Sequence, residues 1–137
     1  MEQYNEKKVD VHYAIQTNGM VVDVEWARFF HDHHFLVGLS LDGPKDLHDV
    51  QRVDAAGTGS WRRAMEAARQ MEAAHADFNI LTVVTNPVAR HVRQVYAFLK
   101  KSGFRYLQFI PCLDPLDAPG GEDGTALTAE RYAYFLK

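Results

Sequence analysis

The feature that most constrains this chain is an alternation, repeated four times, of a short apolar run and a helical pattern. The first run is Val11 to Thr17, ended by Asn18-Gly19, a strong turn signal. Val22, Trp26, Phe29, Phe30 and His33 follow at spacings of three and four, one face of a short helix with Asp23 as its cap. The second run, Phe35 to Leu41, hardly alternates and reads as a strand buried on both faces. After Asp42-Gly43-Pro44, the second helix starts at a Ser60 cap and carries Trp61, Ala64, Met65, Ala68, Met71 and His75 as its stripe. The third run is Phe78 to Val84, ended by Thr85-Asn86-Pro87. A single helix then shows Val88, Val92, Val95, Tyr96 and Leu99 on one face until Ser102-Gly103 stops it. The fourth run is Phe104 to Ile110, and after a loop Thr128 caps a last helix through Phe135.

Four βα units predict an α/β fold with a parallel sheet and right-handed crossovers. Connections from helix to strand are short, about two residues at Ala76-Asp77 and at Ser102-Gly103. Two connections from strand to helix, Gly43 to Gly59 and Pro111 to Leu127, each hold 17 residues. Loops of that length in a compact domain usually bind something or are disordered. Both leave the carboxyl ends of their strands, where parallel α/β folds place their sites.

Composition narrows the class. With 137 residues, 47% apolar, the chain has material for one core and is not a disordered one. A net charge of −3 excludes a generally basic, nucleic-acid-binding surface. One cysteine excludes an intrachain disulfide and any multi-cysteine metal site within these residues. No run of 18 apolar residues spans a membrane, and Met1 to Lys8 lacks the apolar stretch of a signal peptide. The expectation is a reduced, cytoplasmic domain.

Gln16, Thr17, Asn18 and Gly19 end the first strand with polar groups that suit either a ligand or a plain turn with Gly19 at positive φ. Ser40 is a polar residue in an apolar run and needs a partner if buried, whether a ligand or neighbouring backbone. Arg52, in the first long loop, is either solvated or the planar fork that holds a ligand carboxylate. His31, His33 and His34 sit too close in sequence to share a helix face, so they make a poor metal cluster. Cys112 reads as a small, partly buried residue. Phosphate-loop, GxGxxG and nucleophile-elbow patterns are absent.

Longer strings carry a family likeness. Ile15-Gln16-Thr17-Asn18-Gly19 and Phe35-Leu36-Val37-Gly38-Leu39-Ser40-Leu41-Asp42-Gly43-Pro44-Lys45 resemble the middle of an anaerobic sulfatase-maturating enzyme, a radical S-adenosylmethionine protein. His48 with Arg52, Ala89-Arg90-His91-Val92, and Leu107-Gln108-Phe109-Ile110-Pro111-Cys112-Leu113-Asp114-Pro115-Leu116 agree with it. The resemblance implies a slice of a partial (β/α) barrel, with S-adenosylmethionine and a [4Fe–4S] cluster as cofactors. It implies that a 5′-deoxyadenosyl radical takes hydrogen from a cysteine or serine of a sulfatase Cys/Ser-x-Pro-x-Arg segment, which ends as Cα-formylglycine. By motif, Ser40 would bond the amino-acid end of S-adenosylmethionine, Arg52 its carboxylate, and Leu113 the adenine region through its backbone. Gln16, Thr17 and Asn18 would lie near the cofactor.

Departures from the family pattern are as informative. The CxxxCxxC cluster ligands, the GGEP segment and the cysteine-rich C-terminal region are all absent. Residues 1–137 therefore read as the central part of a radical S-adenosylmethionine core, without its cluster-binding and auxiliary-cluster parts. Alone they are expected to be inactive, and an open sheet slice would self-associate through its edges. The other readings are a fragment of a different radical enzyme acting on peptides, or an inert truncated relic.

Overall fold

The structure is a computed structural model that describes residues 7–114 and 125–137. Its elements are β1 (Tyr13–Thr17), α1 (Val24–Asp32), β2 (Phe35–Ser40), α2 (Lys45–Gln51), α3 (Trp61–Ala73), β3 (Asp77–Val84), α4 (Asn86–Arg90), α5 (Val92–Lys101), β4 (Leu107–Pro111) and α6 (Ala129–Phe135). The four strands form one parallel sheet in the order β1-β2-β3-β4. Strands that lie in sequence order, with no switch point, are the arrangement of a (β/α) barrel rather than of a doubly wound sheet.

Register decides which residues share a face. Gln16, Gly38 and Asn79 align across β1, β2 and β3, and Ser40, Leu81 and Gln108 across β2, β3 and β4. Leu81 is buried on that second row, whereas the strand residues of the main core cluster, Val37, Leu39, Ile80 and Val84, lie on the opposite face. They pack against Ala27 and Phe30 of α1, Ala64, Ala67 and Met71 of α3, Val88 of α4, and Val95 and Leu99 of α5. Burying each such Val, Leu or Phe contributes about 1.5–3 kcal/mol, and this one-sided core holds the sheet. The other face carries Gln16, Ser40, Asn79 and Gln108, and Asn79 Nδ2 donates to Gln108 Oε1 at 3.4 Å.

That one-sidedness corrects the expectation that β2 is buried on both faces. Leu36, on the polar face, is 51% exposed, and Ser40 is half-buried. The long run of apolar residues reflects tight packing at Val37 and Leu39 and the absence of a side chain at Gly38. A Cβ there would lie 2.6 Å from Leu81 Cδ1, so only glycine lets Leu81 lie across β2.

Local signals place most elements. Asp23 accepts from the Trp26 N–H at 2.9 Å and Thr128 from the Arg131 N–H at 3.3 Å, so both cap as expected. Gly103, with φ of 83°, ends α5. Gly19 has φ of 77°, and a Cβ there would meet Ala67 Cβ at 3.0 Å, so the β1 turn packs directly on α3.

Other expectations fail for physical reasons. The first long loop contains α2, and an antiparallel bridge between Val53 and Gly59 closes the remainder. The single helix after β3 is two, α4 and α5, parted at His91, whose Nδ1–H donates to the Pro87 carbonyl at 2.8 Å. Tyr96 is 53% exposed and off the apolar face. The connections before β3 and β4 are residues 74–76 and 102–106, longer than expected at β4, which starts at Leu107. Ser60 precedes α3 but makes no side-chain cap bond, because its hydroxyl is engaged elsewhere.

Pro115, Leu116 and the middle of the second long loop lie outside the described residues. The ends of that loop are tied. The Cys112 N–H donates to the Val84 carbonyl at 3.0 Å, the Leu127 N–H to the Cys112 carbonyl at 2.8 Å, and the Asn86 N–H to the Thr125 carbonyl at 3.0 Å. These bonds set α6 beside α4.

Candidate functional site

The carboxyl edge of the sheet gathers Thr17, Asn18, Ser40, Asp42 and Thr85, and the β2–α3 connection folds over it. The anchor is Asp42, only 2% exposed. Leu41 is pinned to β3 by its N–H to the Leu81 carbonyl at 3.0 Å and by Thr82 Oγ1, which donates to the Leu41 carbonyl at 2.8 Å. Asp42 Oδ1 then accepts the Val83 N–H at 2.8 Å. Both carboxylate oxygens are held by Arg52, with Nη2 on Oδ1 at 3.3 Å and Nε on Oδ2. Such a two-point pair fixes the guanidinium plane.

His48 of α2 is fully buried. Its Nδ1 accepts the Asp42 N–H at 3.2 Å, so the proton sits on Nε2 and is donated to Ser60 Oγ at 3.0 Å. Ser60 Oγ–H donates to the Arg52 carbonyl at 2.9 Å. Burial lowers the His48 pKa below its ordinary value; Asp42 opposes this, Arg52 adds to it, and Asp49 opposes it. The imidazole is therefore a neutral hydrogen-bond relay.

Asp49 does the capping that Ser60 does not. Its Oδ1 accepts the Trp61 N–H at 2.8 Å, and its Oδ2 pairs with Lys45 Nζ at 2.7 Å. A Cβ on Gly59 would overlap the Asp49 carboxylate, so glycine is required there. Partial burial raises the Asp49 carboxyl, but the Lys45 and Trp61 hydrogen bonds and the Lys45 charge outweigh it and leave the pKa below the ordinary value.

The structure brings two of the sequence candidates together. Asn18 and Arg52 line one pocket of about 430 Å³, with Met20, Gln51, Asp54 and Ser60. Gln51 Nε2 is buried without a hydrogen-bond partner. Thr17 and Asn18 also serve their own turn, accepting the Gly19 and Met20 N–H groups at 3.1 Å each. Gln16 and Ser40 share the polar sheet face outside that pocket. Leu113 follows β4 and is 77% exposed, also outside it. A second hollow, about 340 Å³, lies at the opposite edge against Asp77, Phe78, Phe104 and Tyr106, and holds none of the candidates. His31 Nδ1–H donates to the His75 carbonyl at 2.9 Å, and no three His, Cys, Asp or Glu side chains converge as metal ligands among the described residues.

Sequence reasoning missed Asp42, Asp49 and Ser60 as polar anchors. The available signal was the acid directly after the β2 apolar run, where a buried charge needs an arginine partner.

No protein-family model matches the chain. The cysteine-type anaerobic sulfatase-maturating enzyme of Clostridium novyi is 43% identical over 136 residues, covering 99% of this chain and 36% of that one. The serine-type enzyme of Klebsiella aerogenes is 34% identical over 134 residues, covering 98% of this chain and 33% of that one. The solved structure described as native anSMEcpe with bound AdoMet and Cp18Cys peptide superposes with a TM-score of 0.95 at 41% identity, over 98% of this chain and 38% of that one. The chain thus spans about a third of the length of the curated relatives it matches. In sequence and in fold alike, nearly the whole of it is homologous to a stretch of the anaerobic sulfatase-maturating enzymes.

Proposed function

We propose that residues 1–137 form the central, S-adenosylmethionine-holding slice of an enzyme that oxidises a cysteine or serine of a sulfatase to Cα-formylglycine. The observation that carries this reading is the superposition on an AdoMet- and peptide-bound structure over 98% of the chain. The residues fit the amino-acid end of that cofactor. Arg52 keeps three guanidinium N–H groups beyond the two given to Asp42, and it lines the pocket beside Asn18. Ser40 would hold the same end of the ligand from the polar sheet face, and Leu113 would meet the adenine region. Gln16, Thr17 and Asn18 would line the approach. When bound, S-adenosylmethionine supplies the hydrogen-abstracting chemistry, and these side chains bind and orient it.

A [4Fe–4S] cluster does not fit these residues. The chain has one cysteine, Cys112, and four-iron clusters need several thiolates. The cluster ligands would lie outside this stretch, and the 137 residues alone are inactive on this reading.

The test is a chimera in which residues 1–137 replace the matching third of the Clostridium novyi relative. Assayed anaerobically on a sulfatase peptide, with mass spectrometry, it is expected to form formylglycine and to lose that activity with Arg52→Ala. A folded chimera with an intact cluster and no product would contradict the proposal.

A further inference from the structure

Arg52 is held at two points by a closed ring of hydrogen bonds. Its guanidinium lies on the Asp42 carboxylate, and its carbonyl accepts from Ser60 Oγ. Ser60 Oγ accepts from His48 Nε2, and His48 Nδ1 accepts from the Asp42 N–H. One imidazole therefore joins the group that clamps the Arg52 side chain to the group that clamps its backbone. The ring joins the segment after β2, α2 with its C-terminal Arg52, and the residue before α3, and backbone bonds from the Arg52 N–H to the His48 carbonyl at 2.9 Å and from the Ser60 N–H to the Arg52 carbonyl at 3.0 Å run beside it.

We propose that His48 is a positioning residue for Arg52, acting only as the neutral imidazole with its proton on Nε2. A second proton would make Nδ1 a donor facing the Asp42 N–H, itself a donor, and the ring would open. The charged groups that face His48 are Asp42, Arg52 and Asp49, with Lys45 beyond on Asp49. The bonds are satisfied throughout, so the network rigidifies rather than strains the loop. The significance for ligand binding rests on the proposed role of Arg52, but the positioning itself does not.

Nuclear magnetic resonance on the full chain reads the Arg52 Nε–H bond directly. The wild type at pH 7.5 is expected to be as rigid there as its ordered backbone, with an order parameter of about 0.85. In His48→Phe, which keeps a ring but can neither accept from the Asp42 N–H nor donate to Ser60, it is expected to fall under about 0.6. Ser60→Ala, a milder change that opens the ring on its other side, is expected to lower it likewise. An order parameter unchanged in folded Ser60→Ala would overturn the inference even if the His48 variant fails to fold. Titrating the same samples with S-adenosylmethionine separates the two claims. A rigid Arg52 that the variants loosen, with no binding by the wild type, sinks the proposed function and keeps the positioning. Binding by the wild type that persists within about twofold in variants with a rigid Arg52 does the reverse.

Discussion

The residues at the carboxyl edge divide between charge and relay. Arg52 and Asp42 form a largely buried pair, and such a pair stabilises only when its remaining lone pairs are met, as the Val83 N–H meets Asp42 here. His48 adds a pH dependence of known sign. Its folded pKa lies below the ordinary histidine value near 6.5, so the unfolded chain binds a proton that the folded chain does not. Stability from this site is complete above about pH 6.5 and falls as pH drops through the window below it, with a slope of at most about 1.4 kcal/mol per pH unit. Asp49 acts in the same direction, but only as pH falls below the ordinary carboxylate range. Thermal melts of the wild type should therefore lose Tm between pH 7.5 and 5.5. His48→Gln should start lower and lack that step; an identical pH slope in both would assign the dependence to another group.

At the scale of elements, the helices depend on how their first turns are met. Asp49→Ala removes the acceptor of the Trp61 N–H at the start of α3 and should cost about 1 kcal/mol in chemical denaturation. Gly59→Ala should cost at least as much, because its Cβ displaces the same carboxylate. A Gly59→Ala protein as stable as wild type would show that Asp49 is not the cap. Much of this level was legible in the sequence. Asp23, Thr128, Asn18-Gly19 and Ser102-Gly103 act through neighbours a few residues away, where spacing carries the information. The misses are non-local. Ser60 has the sequence of a cap, yet its hydroxyl is taken by Arg52 and His48, 8 and 12 residues back. α2 was hidden because its one buried side chain is a histidine, which an apolar count does not register. The break at His91 follows from that side chain's bond to Pro87, which leaves no trace in the periodicity of Val88, Val92 and Val95. Arg52 and Asn18 were legible as chemistry, but the carboxylate that orients Arg52 was not.

At the scale of the molecule, the chain is a one-sided parallel sheet. Its helices bury Val37, Leu39, Ile80 and Val84, and its polar face carries Gln16, Ser40, Asn79 and Gln108. The outer edges of β1 and β4 have no strand partner among the described residues. No helix among those residues is long and apolar enough to cross a membrane. The homology covers about a third of each relative, and the one cysteine of these 137 residues cannot ligate a four-iron cluster by itself. The central claim is that these residues hold that cofactor through Arg52. Calorimetric titration of the 137-residue chain with S-adenosylmethionine tests it most directly. The account predicts measurable binding by the folded chain and at least about tenfold weaker binding after Arg52→Ala, the loss of one charge-assisted contact. An equal affinity in the two proteins, or no binding by the folded wild type, would contradict it.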